Sequence, residues 1–327
     1  MRTAPPNLSH IQRLVRDRLE GVVDELRRIV LSDFPPIGEV NDYLLLARGK
    51  LFRPTLLLLS NEVGGRRAPE AVTLAATIEL VHLATLVHDD AVDHSVLRRG
   101  MPTVNALWNH QTAIIMGDYL YSRSVSELAT IGRVELVGIL ARAANEMSVG
   151  ELRQLWSCDA LSYTEAEYYR LIACKTASLI SAACEMGAVV GEPTHRSALA
   201  DYGRHLGMAF QIADDLLDYT ETEAVTGKPS GHDLREHKVT LPLIAAMREM
   251  DGSARREIEA FFAEPEPTDA GISSVVSLVT AHGGLKYAHR RAQEYGTRAA
   301  EALDALPDGP ATEALREAIS YVIDRRR

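Results

Sequence analysis

Residues 86–93 read Leu86-Val-His-Asp-Asp-Ala-Val-Asp93, and residues 211–218 repeat the pattern as Gln211-Ile-Ala-Asp-Asp-Leu-Leu-Asp218. Each segment is D-D-x-x-D within an apolar run. At about 3.6 residues per turn, the first and last aspartates of each segment lie on one face of a helix. Carboxylates crowded among apolar residues repel one another and lose hydration, so a shared cation is expected. Oxygen ligands of this kind suit Mg²⁺, commonly held together with substrate phosphates.

The alternative for either acidic segment alone is a solvated helix face. Two copies, both on strongly apolar helices, argue against that interpretation, because a solvated face would not be surrounded by Leu, Val and Ala on each occasion. We therefore treat both segments as candidate metal ligands.

The rest of the chain also shows helical periodicity. Apolar residues recur at helical spacing from Leu8 to Ile29, and Pro35-Pro36 are predicted to break this helix before a second run from Val40 to Leu46. Pro54 is predicted to open the next helix. Further helices are predicted over residues 69–93, 105–130, 133–156, 164–190, 195–221, 238–250, 254–263, 271–281, 284–305 and 311–325. Period-two alternation is never sustained, so one all-α bundle is predicted for residues 1–327 as a single domain.

The composition agrees with a globular helical protein. Of 327 residues, 46% are hydrophobic, 24% are charged and only 6% are aromatic, a balance that favours helices over sheets. The net charge of −10 argues against a broad nucleic-acid-binding surface. No nucleic-acid partner is expected, and any anionic ligand must be met by local basic clusters.

Three features predict a cytoplasmic protein. The N-terminus carries Arg and Asp where a signal peptide needs an apolar run. The most apolar stretches, Thr73–Val87 and Ala177–Val190, fall short of the about 20 residues that a bilayer requires, so no transmembrane segment is expected. Cys158, Cys174 and Cys184 lack a C-x-x-C spacing and are predicted to be reduced thiols.

Basic residues follow each acidic segment. Arg98-Arg99-Gly100 comes after the first, and Lys228 and Lys238 come after the second, which would place cations beside a metal–phosphate complex. The patch Gly49-Lys50-Leu51-Phe52-Arg53-Pro54 leads into a predicted helix N-terminus, where backbone N–H groups favour an anion. Each patch alone has the alternative of being solvated surface. The polar segment 227–237 is predicted to be a mobile loop over a site.

Several short motifs follow one another along the chain: Gly49-Lys50-x-x-Arg53-Pro54, Glu79-x-x-His82, Asp89-Asp90-x-x-Asp93 with Arg98-Arg99-Gly100, Gly117-Asp118, Lys175-Thr176, Phe210-Gln211-x-x-Asp214-Asp215-x-x-Asp218, and Gly227-Lys228-x-x-Gly231-x-Asp233-Leu234. Together they resemble the trans-isoprenyl diphosphate synthases, or polyprenyl synthetases. The resemblance runs from about residue 40 to about residue 245.

The resemblance implies the all-α isoprenoid synthase fold around a deep central cavity, in a homodimer. It implies a prenyltransferase that condenses isopentenyl diphosphate head-to-tail with an allylic diphosphate to give an all-trans polyprenyl diphosphate. Three Mg²⁺ ions per active site are expected with it.

The resemblance also implies residue roles. Asp89, Asp93 and Asp214 would bind Mg²⁺ directly, with Asp90, Asp215 and Asp218 supporting the ions or their waters. Arg98, Lys175, Lys228 and Lys238 would hold the allylic diphosphate, and Lys50, Arg53, His82 and Arg99 would hold isopentenyl diphosphate. Thr176 and Gln211 would offer oxygen dipoles to the allylic cation. The alternative for His82 is a hydrogen-bonded core histidine.

Product length is expected to depend on the helix before the first acidic segment. Ala84 precedes Asp89 by five positions, about 7.5 Å along a helix axis, and Val81 and Thr85 lie close by. Short-chain members of the family commonly carry a bulky aromatic at this position. A product of roughly C30 or longer is therefore expected by resemblance, with close helix packing as the alternative reason for Ala84.

Four alternatives remain at this point. A short-chain farnesyl or geranylgeranyl diphosphate synthase shares the motifs. A terpene cyclase would carry Ser or Thr four residues, and Glu eight residues, after the start of the second motif, where this chain has Asp218 and Thr222. An all-α His-Asp metal phosphohydrolase is suggested by His88-Asp89 but needs further histidine ligands. A non-catalytic partner subunit would be expected to lose its aspartates.

Overall fold

The computed structural model describes residues 7–46, 49–98, 100–156, 160–220 and 231–324. These residues are almost entirely helical, which confirms the all-α prediction. The helices are α1 (Leu8–Ile11), α2 (Arg16–Ile29), α3 (Pro35–Leu46), α4 (Phe52–Glu62), α5 (Glu70–Val92), α6 (Val104–Leu107), α7 (His110–Ile131), α8 (Val134–Leu155), α9 (Glu165–Ile172), α10 (Ser178–Val190), α11 (Arg196–Thr220), α12 (His232–Arg235), α13 (Leu241–Glu249), α14 (Gly252–Ala263), α15 (Asp269–Ala281), α16 (Gly284–Leu303) and α17 (Pro310–Ile323).

Short elements connect these helices. The antiparallel hairpin consists of β1 (Leu97–Arg98) and β2 (Met101–Pro102), and 3₁₀ turns cover Gln12–Val15, Ala160–Ser162 and Pro193–His195. A π-helical turn, Ala173–Ala177, joins α9 to α10. It is called the π-turn below.

Local sequence signals set several helix ends. The Asn109 side chain accepts a hydrogen bond from the backbone N–H of Thr112 at the start of α7, and Gly132 ends that helix in the left-handed conformation. Thr164 and Glu167 form a capping box at the start of α9. Each cap satisfies backbone groups that have no partner within the helix.

The core is centred on α10, whose residues are buried around nearly the whole circumference of the helix. This helix packs against α4, α5, α8 and α11. A helix that is apolar on all sides needs such neighbours. Because α5 and α11 carry the two acidic segments, their shared packing on α10 holds the segments in one part of the bundle.

Two helical stretches are long and apolar enough to cross a bilayer by length and composition alone: Glu70–Val92 and Glu165–Val190. Both helical stretches are longer than the apolar stretches recognised in the sequence, Thr73–Val87 and Ala177–Val190. In the most apolar 18-residue part of each stretch, 56% of the first and 78% of the second is buried inside the protein. Helix packing therefore accounts for their apolar character, and the absence of a transmembrane segment stays a prediction.

Several predicted helix boundaries were wrong, among them the start of α4, which is Phe52 and not Pro54. The helix α3 begins at Pro35, not at Val40, because a proline in the first turn lacks only an N–H that would have no helical partner. The predicted helix over residues 105–130 is divided at Trp108 and Asn109 into α6 and α7.

Several short elements were not predicted, among them the π-turn, the hairpin β1–β2 and α12. The hairpin β1–β2 turns at Gly100, whose φ of 77° is in the left-handed region that glycine adopts without strain. The helix α12 lies within the segment expected to be a mobile loop, of which residues 227–230 are outside the described residues. A backbone hydrogen bond of 2.9 Å from Gly231 to the carbonyl of Asp218 joins this segment to α11.

The two described cysteines, Cys174 and Cys184, are free thiols. Burial raises the pKa of Cys184 to about 12, so this thiol stays protonated and unreactive. Cys158 lies outside the described residues.

Candidate active site

A cavity of about 1050 Å³ is lined by α5, α7, α8, α11 and the start of α4. Asp89 of the first acidic segment and Asp214 and Asp218 of the second all contribute to its wall. The same wall carries cationic side chains, namely Lys50, Arg53, Arg98 and Lys175. The fold therefore brings into one space the carboxylates and cations that the sequence distributes over five helices and loops.

Each carboxylate of the first acidic segment lies close to a cationic side chain. The pairs are Asp89 Oδ2 with Lys175 Nζ at 3.7 Å, Asp90 Oδ1 with Arg98 Nε at 2.7 Å, and Asp93 Oδ2 with Lys238 Nζ at 3.9 Å. Asp90 is 6% exposed and lies behind the wall. The first segment is thus partly neutralised by three predicted diphosphate ligands.

Asp89 occupies an environment that disfavours its negative charge. Burial raises its pKa to about 6; the Lys175 ammonium opposes the rise, and the carboxylates of Glu151 and Asp93 add to it. Additional positive charge beside Asp89 would reverse this penalty, because a nearby cation favours the ionised carboxylate.

In the second acidic segment, Asp215 is held by uncharged donors. Asp215, 6% exposed, accepts a hydrogen bond of 2.5 Å from the Tyr168 hydroxyl and one of 2.8 Å from Gln211 Nε2. Burial raises the pKa of Asp215 well above its usual value, the carboxylate of Asp233 adds to the rise, and the two hydrogen bonds oppose it.

The side chain of Asp218, a residue of α11, lies at the N-terminus of α12. Its two carboxylate oxygens accept hydrogen bonds from the backbone N–H groups of His232, at 3.1 Å, and Asp233, at 3.0 Å. A carboxylate at a helix N-terminus satisfies backbone donors in this way. Asp218 therefore joins the cavity wall to the only described part of the segment between α11 and α13.

Lys175 and Thr176 lie in the π-turn, an element that often occurs at functional sites. Two glycines allow neighbouring helices to approach it closely. A Cβ at Gly150 of α8 would lie 2.9 Å from a π-turn side-chain carbon, and one at Gly207 of α11 would lie 2.5 Å from the Cα of Ala177. This close packing places the π-turn against α8 and α11, two of the helices that line the cavity.

Thr176 and Gln211 contact each other on the cavity wall. The Thr176 hydroxyl donates a hydrogen bond of 2.7 Å to Gln211 Oε1, and both residues line the cavity. The structure thus brings together the two side chains predicted to offer oxygen dipoles.

Lys50, Arg53 and His82 line the same cavity. Leu51, between the two cations, has a φ of 50° in the left-handed region, where few non-glycine residues occur, and it directly precedes α4. Of the other predicted diphosphate ligands, Lys238 lies beside the first acidic segment, whereas Arg99 and Lys228 lie outside the described residues.

The residues predicted to limit product length also meet the cavity. Val81, Ala84 and Thr85 all line it from α5. Larger side chains in the same wall are Tyr121 of α7 and Met147 of α8. Ala84 is the smallest of these side chains, and it is 2% exposed.

Sequence reasoning missed Glu151, Tyr168 and the environment of Asp233. Glu151 lies 2.6 Å from Lys175 Nζ, and the detectable signal was a carboxylate four positions after Met147 on the apolar face of α8. Burial raises the pKa of Asp233 to about 7, and its motif position was noted without a role. Nothing in the sequence distinguishes Tyr168 from an ordinary core tyrosine.

The donor set fits a metal ion that is shared with a substrate. Within the described ranges, no three His, Cys, Asp or Glu side chains converge closely enough to hold a metal by themselves. Asp89, Asp214 and Asp218 nevertheless present oxygen ligands to one cavity that also carries cations suited to phosphate. Mg²⁺ is commonly bound by one or two carboxylates together with phosphate oxygens and water.

Comparisons with known proteins agree with this geometry. A family model described as polyprenyl synthetase matches residues 35–279. The chain is 34% identical over 321 residues to an octaprenyl diphosphate synthase of Haemophilus influenzae, covering 98% of this chain and 97% of that protein. It is also 34% identical to a short chain isoprenyl diphosphate synthase of Methanothermobacter thermautotrophicus, over 93% of this chain and 95% of the relative.

Solved structures show the same architecture over nearly the whole chain. A decaprenyl diphosphate synthase from Rhodobacter capsulatus superposes with a TM-score of 0.92 at 37% identity, covering 98% of this chain and 100% of that one. A polyprenyl synthase from Caulobacter crescentus, complexed with calcium and isoprenyl diphosphate, gives a TM-score of 0.94 at 33% identity, covering 99% and 100%. The fold is thus the all-α isoprenoid synthase fold that the motifs implied.

Proposed function

The chain belongs to the polyprenyl synthetase family and is a trans-prenyltransferase, and from this premise we propose that it condenses isopentenyl diphosphate head-to-tail with an allylic diphosphate in a Mg²⁺-dependent reaction. The proposed product is an all-trans polyprenyl diphosphate of roughly C30 or longer. One observation carries the proposal: aspartates of both acidic segments and four cationic side chains line a single cavity, which Val81, Ala84 and Thr85 also line.

The proposed first step is ionisation of the allylic C–O bond, which produces an allylic cation and a diphosphate leaving group. Bound Mg²⁺ would supply positive charge to that leaving group. Asp89, Asp93 and Asp214 would hold the ions, supported by Asp90, Asp215 and Asp218. Lys175 and Lys238, which already lie beside the first acidic segment, would donate hydrogen bonds to the diphosphate oxygens.

The second step is attack on the cation by the double bond of isopentenyl diphosphate, followed by transfer of a proton to the diphosphate released in the first step. Lys50, Arg53 and His82 would orient this substrate through its diphosphate, whereas Arg98, beside the first acidic segment, would bind the allylic diphosphate. Thr176 and Gln211 would stabilise the cation with their oxygen dipoles. The apolar part of the cavity excludes water, which would otherwise capture the cation.

The proposed product length rests on the small side chain of Ala84. A growing chain would run from the metal site along α5, past Val81 and Thr85. The relative from Haemophilus influenzae is named an octaprenyl diphosphate synthase. An equally identical relative is named a short chain enzyme, so overall identity does not decide length, and the proposal depends on the cavity.

The His-Asp phosphohydrolase alternative has little support from the site. His88 Nε2 lies 3.1 Å from the carbonyl oxygen of Ile114 and 3.5 Å from Asp118 Oδ1. Within the described part of the chain, these groups do not form a metal cluster of three protein ligands. A hydrolase of that class needs such a cluster before substrate binds.

We also propose a cytoplasmic homodimer. Apolar side chains are exposed on α7, at Ile114 and Ile115, and on α8, at Val149 and Leu152. A second copy packed on these helices would remove that apolar surface from water. Light scattering of the purified protein tests the assembly, and a monomeric mass would contradict it.

The experiment that tests the function is a product assay. The purified chain is incubated with Mg²⁺, isopentenyl diphosphate and dimethylallyl, geranyl, farnesyl or geranylgeranyl diphosphate, and the products are sized by mass spectrometry. We expect elongation with at least one primer and none after chelation by EDTA. Release of inorganic phosphate without elongation would contradict the proposal and favour a hydrolase.

A further inference from the structure

A chain of three hydrogen bonds runs from the core to the cavity wall. Tyr168, 2% exposed, donates to Asp215 Oδ2 at 2.5 Å. Asp215 Oδ1 accepts from Gln211 Nε2 at 2.8 Å, and Gln211 Oε1 accepts from the Thr176 hydroxyl at 2.7 Å. Thr176 and Gln211 line the cavity, whereas Tyr168 stands behind it on α9.

This series of hydrogen bonds has a direction, because its side chains differ in the hydrogen-bond donors that they carry. The Gln211 amide turns its N–H₂ toward Asp215 and its oxygen toward Thr176. The Thr176 hydroxyl has a single proton and gives it to that oxygen. The lone pairs of Thr176 Oγ1 are then left for the cavity. A reversed amide would turn the hydroxyl proton toward the cavity.

We propose that Tyr168 is a positioning residue for the ionisation step, a role that rests on the proposed function. Its hydroxyl fixes the Asp215 carboxylate, which fixes the Gln211 amide, which in turn holds the negative end of the Thr176 dipole toward the place where the allylic cation forms. Preorganised dipoles of this kind stabilise developing charge without reorientation during the reaction. Asp215 acts here as the anchor of the chain rather than as a ligand exposed to the cavity.

The buried position of Tyr168 explains why a phenol is required. α9 packs against α11 and the π-turn, so the ring fills core volume while its hydroxyl reaches Asp215. Phenylalanine would keep the ring and lose only the donor. Asp215 would then keep one of its two described partners, and the orientation of the Gln211 amide would no longer be fixed from behind.

The test is a double-mutant cycle between Tyr168→Phe and Thr176→Val, measured as the single-turnover rate of the first condensation. We expect Tyr168→Phe alone to lower this rate about tenfold, with KM for both diphosphates changed less than about threefold, because a dipole aimed at the cation acts in the transition state. In the Thr176→Val background the same change should have less than about a twofold effect, since the dipole is already absent. Thr176→Ser, which keeps the hydroxyl, should restore the sensitivity.

The matched control is Tyr169→Phe, the next residue on α9. Its hydroxyl bonds Glu165 and Arg291 away from the cavity, so the rate should stay within about twofold even if stability falls. If Tyr168→Phe does not fold, Asp215→Asn interrupts the same hydrogen bonds, and its rate loss should be smaller in the Thr176→Val background than in the wild-type background; an equal loss in both would overturn the proposal.

Equal rate losses from Tyr168→Phe with and without the Thr176 hydroxyl would overturn the proposal, as would an unchanged rate in the single variant. Failure of the wild-type chain to elongate any allylic primer would instead reject the proposed function. The two failures are therefore distinguishable.

Discussion

The two acidic segments have the same pattern but different surroundings. At the C-terminal end of α5, Asp89, Asp90 and Asp93 each lie within 3.9 Å of a lysine or arginine nitrogen. On α11, Asp215 and Asp218 are held by a phenol, an amide and two backbone N–H groups. Cations therefore lie beside all three carboxylates of the first segment, whereas neutral donors fix Asp215 and Asp218 in the second.

The difference shows that one sequence pattern can serve two electrostatic purposes. A carboxylate paired with a mobile lysine can exchange that partner for a metal ion when a diphosphate arrives and takes the lysine. A carboxylate fixed by backbone and buried donors keeps its position throughout. We infer that the first segment adapts to the substrate, while the second provides a rigid base for the ions.

The largest expected effect tests whether both segments are needed. Asp89→Ala and Asp214→Ala should each lower kcat about 10³-fold, because each removes charge stabilisation of the leaving group. Asp201→Ala, an exposed aspartate on α11, is the control and should have wild-type kcat. Steady-state kinetics with saturating Mg²⁺ make the comparison. Near-normal turnover in either cavity variant would show that its segment does not hold a catalytic ion.

The cationic side chains provide the next test. Those beside the first segment are proposed to bind the allylic diphosphate, and those at the start of α4 are proposed to bind isopentenyl diphosphate. Lys50→Ala or Arg53→Ala should raise KM for isopentenyl diphosphate about 30-fold, the scale of one charge-assisted phosphate contact. Lys238→Ala should raise KM for the allylic substrate by a similar factor. Lys228, predicted to act with Lys238, is tested in the same way. Equal effects of all variants on both substrates would rule out this division.

A smaller effect concerns stability in the absence of substrate. Asp90→Asn should lower the free energy of unfolding by about 2 kcal/mol, because the buried carboxylate loses its charge-assisted bond to Arg98. Asp218→Asn should cost about 1 kcal/mol, because one of the two oxygens at the start of α12 is replaced. Urea unfolding without Mg²⁺ measures both. A larger loss of unfolding free energy for Asp218→Asn than for Asp90→Asn would contradict our inference that charge pairing stabilises the first segment.

The smallest effect on rate is expected for the cavity beyond the metal site. Ala84→Phe should shorten the products while the first condensation stays within about threefold of wild type, because the ring fills space that only longer chains need. Leu83→Phe is the matched control, since Leu83 packs on the core and is absent from the cavity wall. Unchanged product lengths in Ala84→Phe, or a wild-type product of C15 or C20, would refute the open cavity.

Much of this architecture could be predicted from sequence, because helical periodicity and D-D-x-x-D spacing are local properties. The long helices and the motifs on α5 and α11 belong to this class. Pro35 was misread because a proline that ends one helix and a proline that begins another give the same local signal. The π-turn and α12 depend on tertiary packing, which no local pattern records.

The partners of the aspartates were the least predictable part of the site. Arg98 was expected beside the first acidic segment from its position in the chain, whereas Lys238 follows the second segment and approaches Asp93 of the first only because of the fold. Tyr168 had no signal, since a buried tyrosine with a functional hydroxyl and one with a structural hydroxyl have the same sequence context. Glu151 had a weak signal, as an acid on an apolar helix face.

The most direct test of the central claim is a crystal structure with Mg²⁺, isopentenyl diphosphate and an allylic thiolodiphosphate that cannot ionise. The account predicts Mg²⁺ ions that bridge its diphosphate to Asp89 and Asp214, with Lys175 moved from Glu151 toward the phosphate oxygens and Asp215 still bonded to Tyr168. Ions bound to one acidic segment alone, or an allylic diphosphate bound outside this cavity, would contradict it.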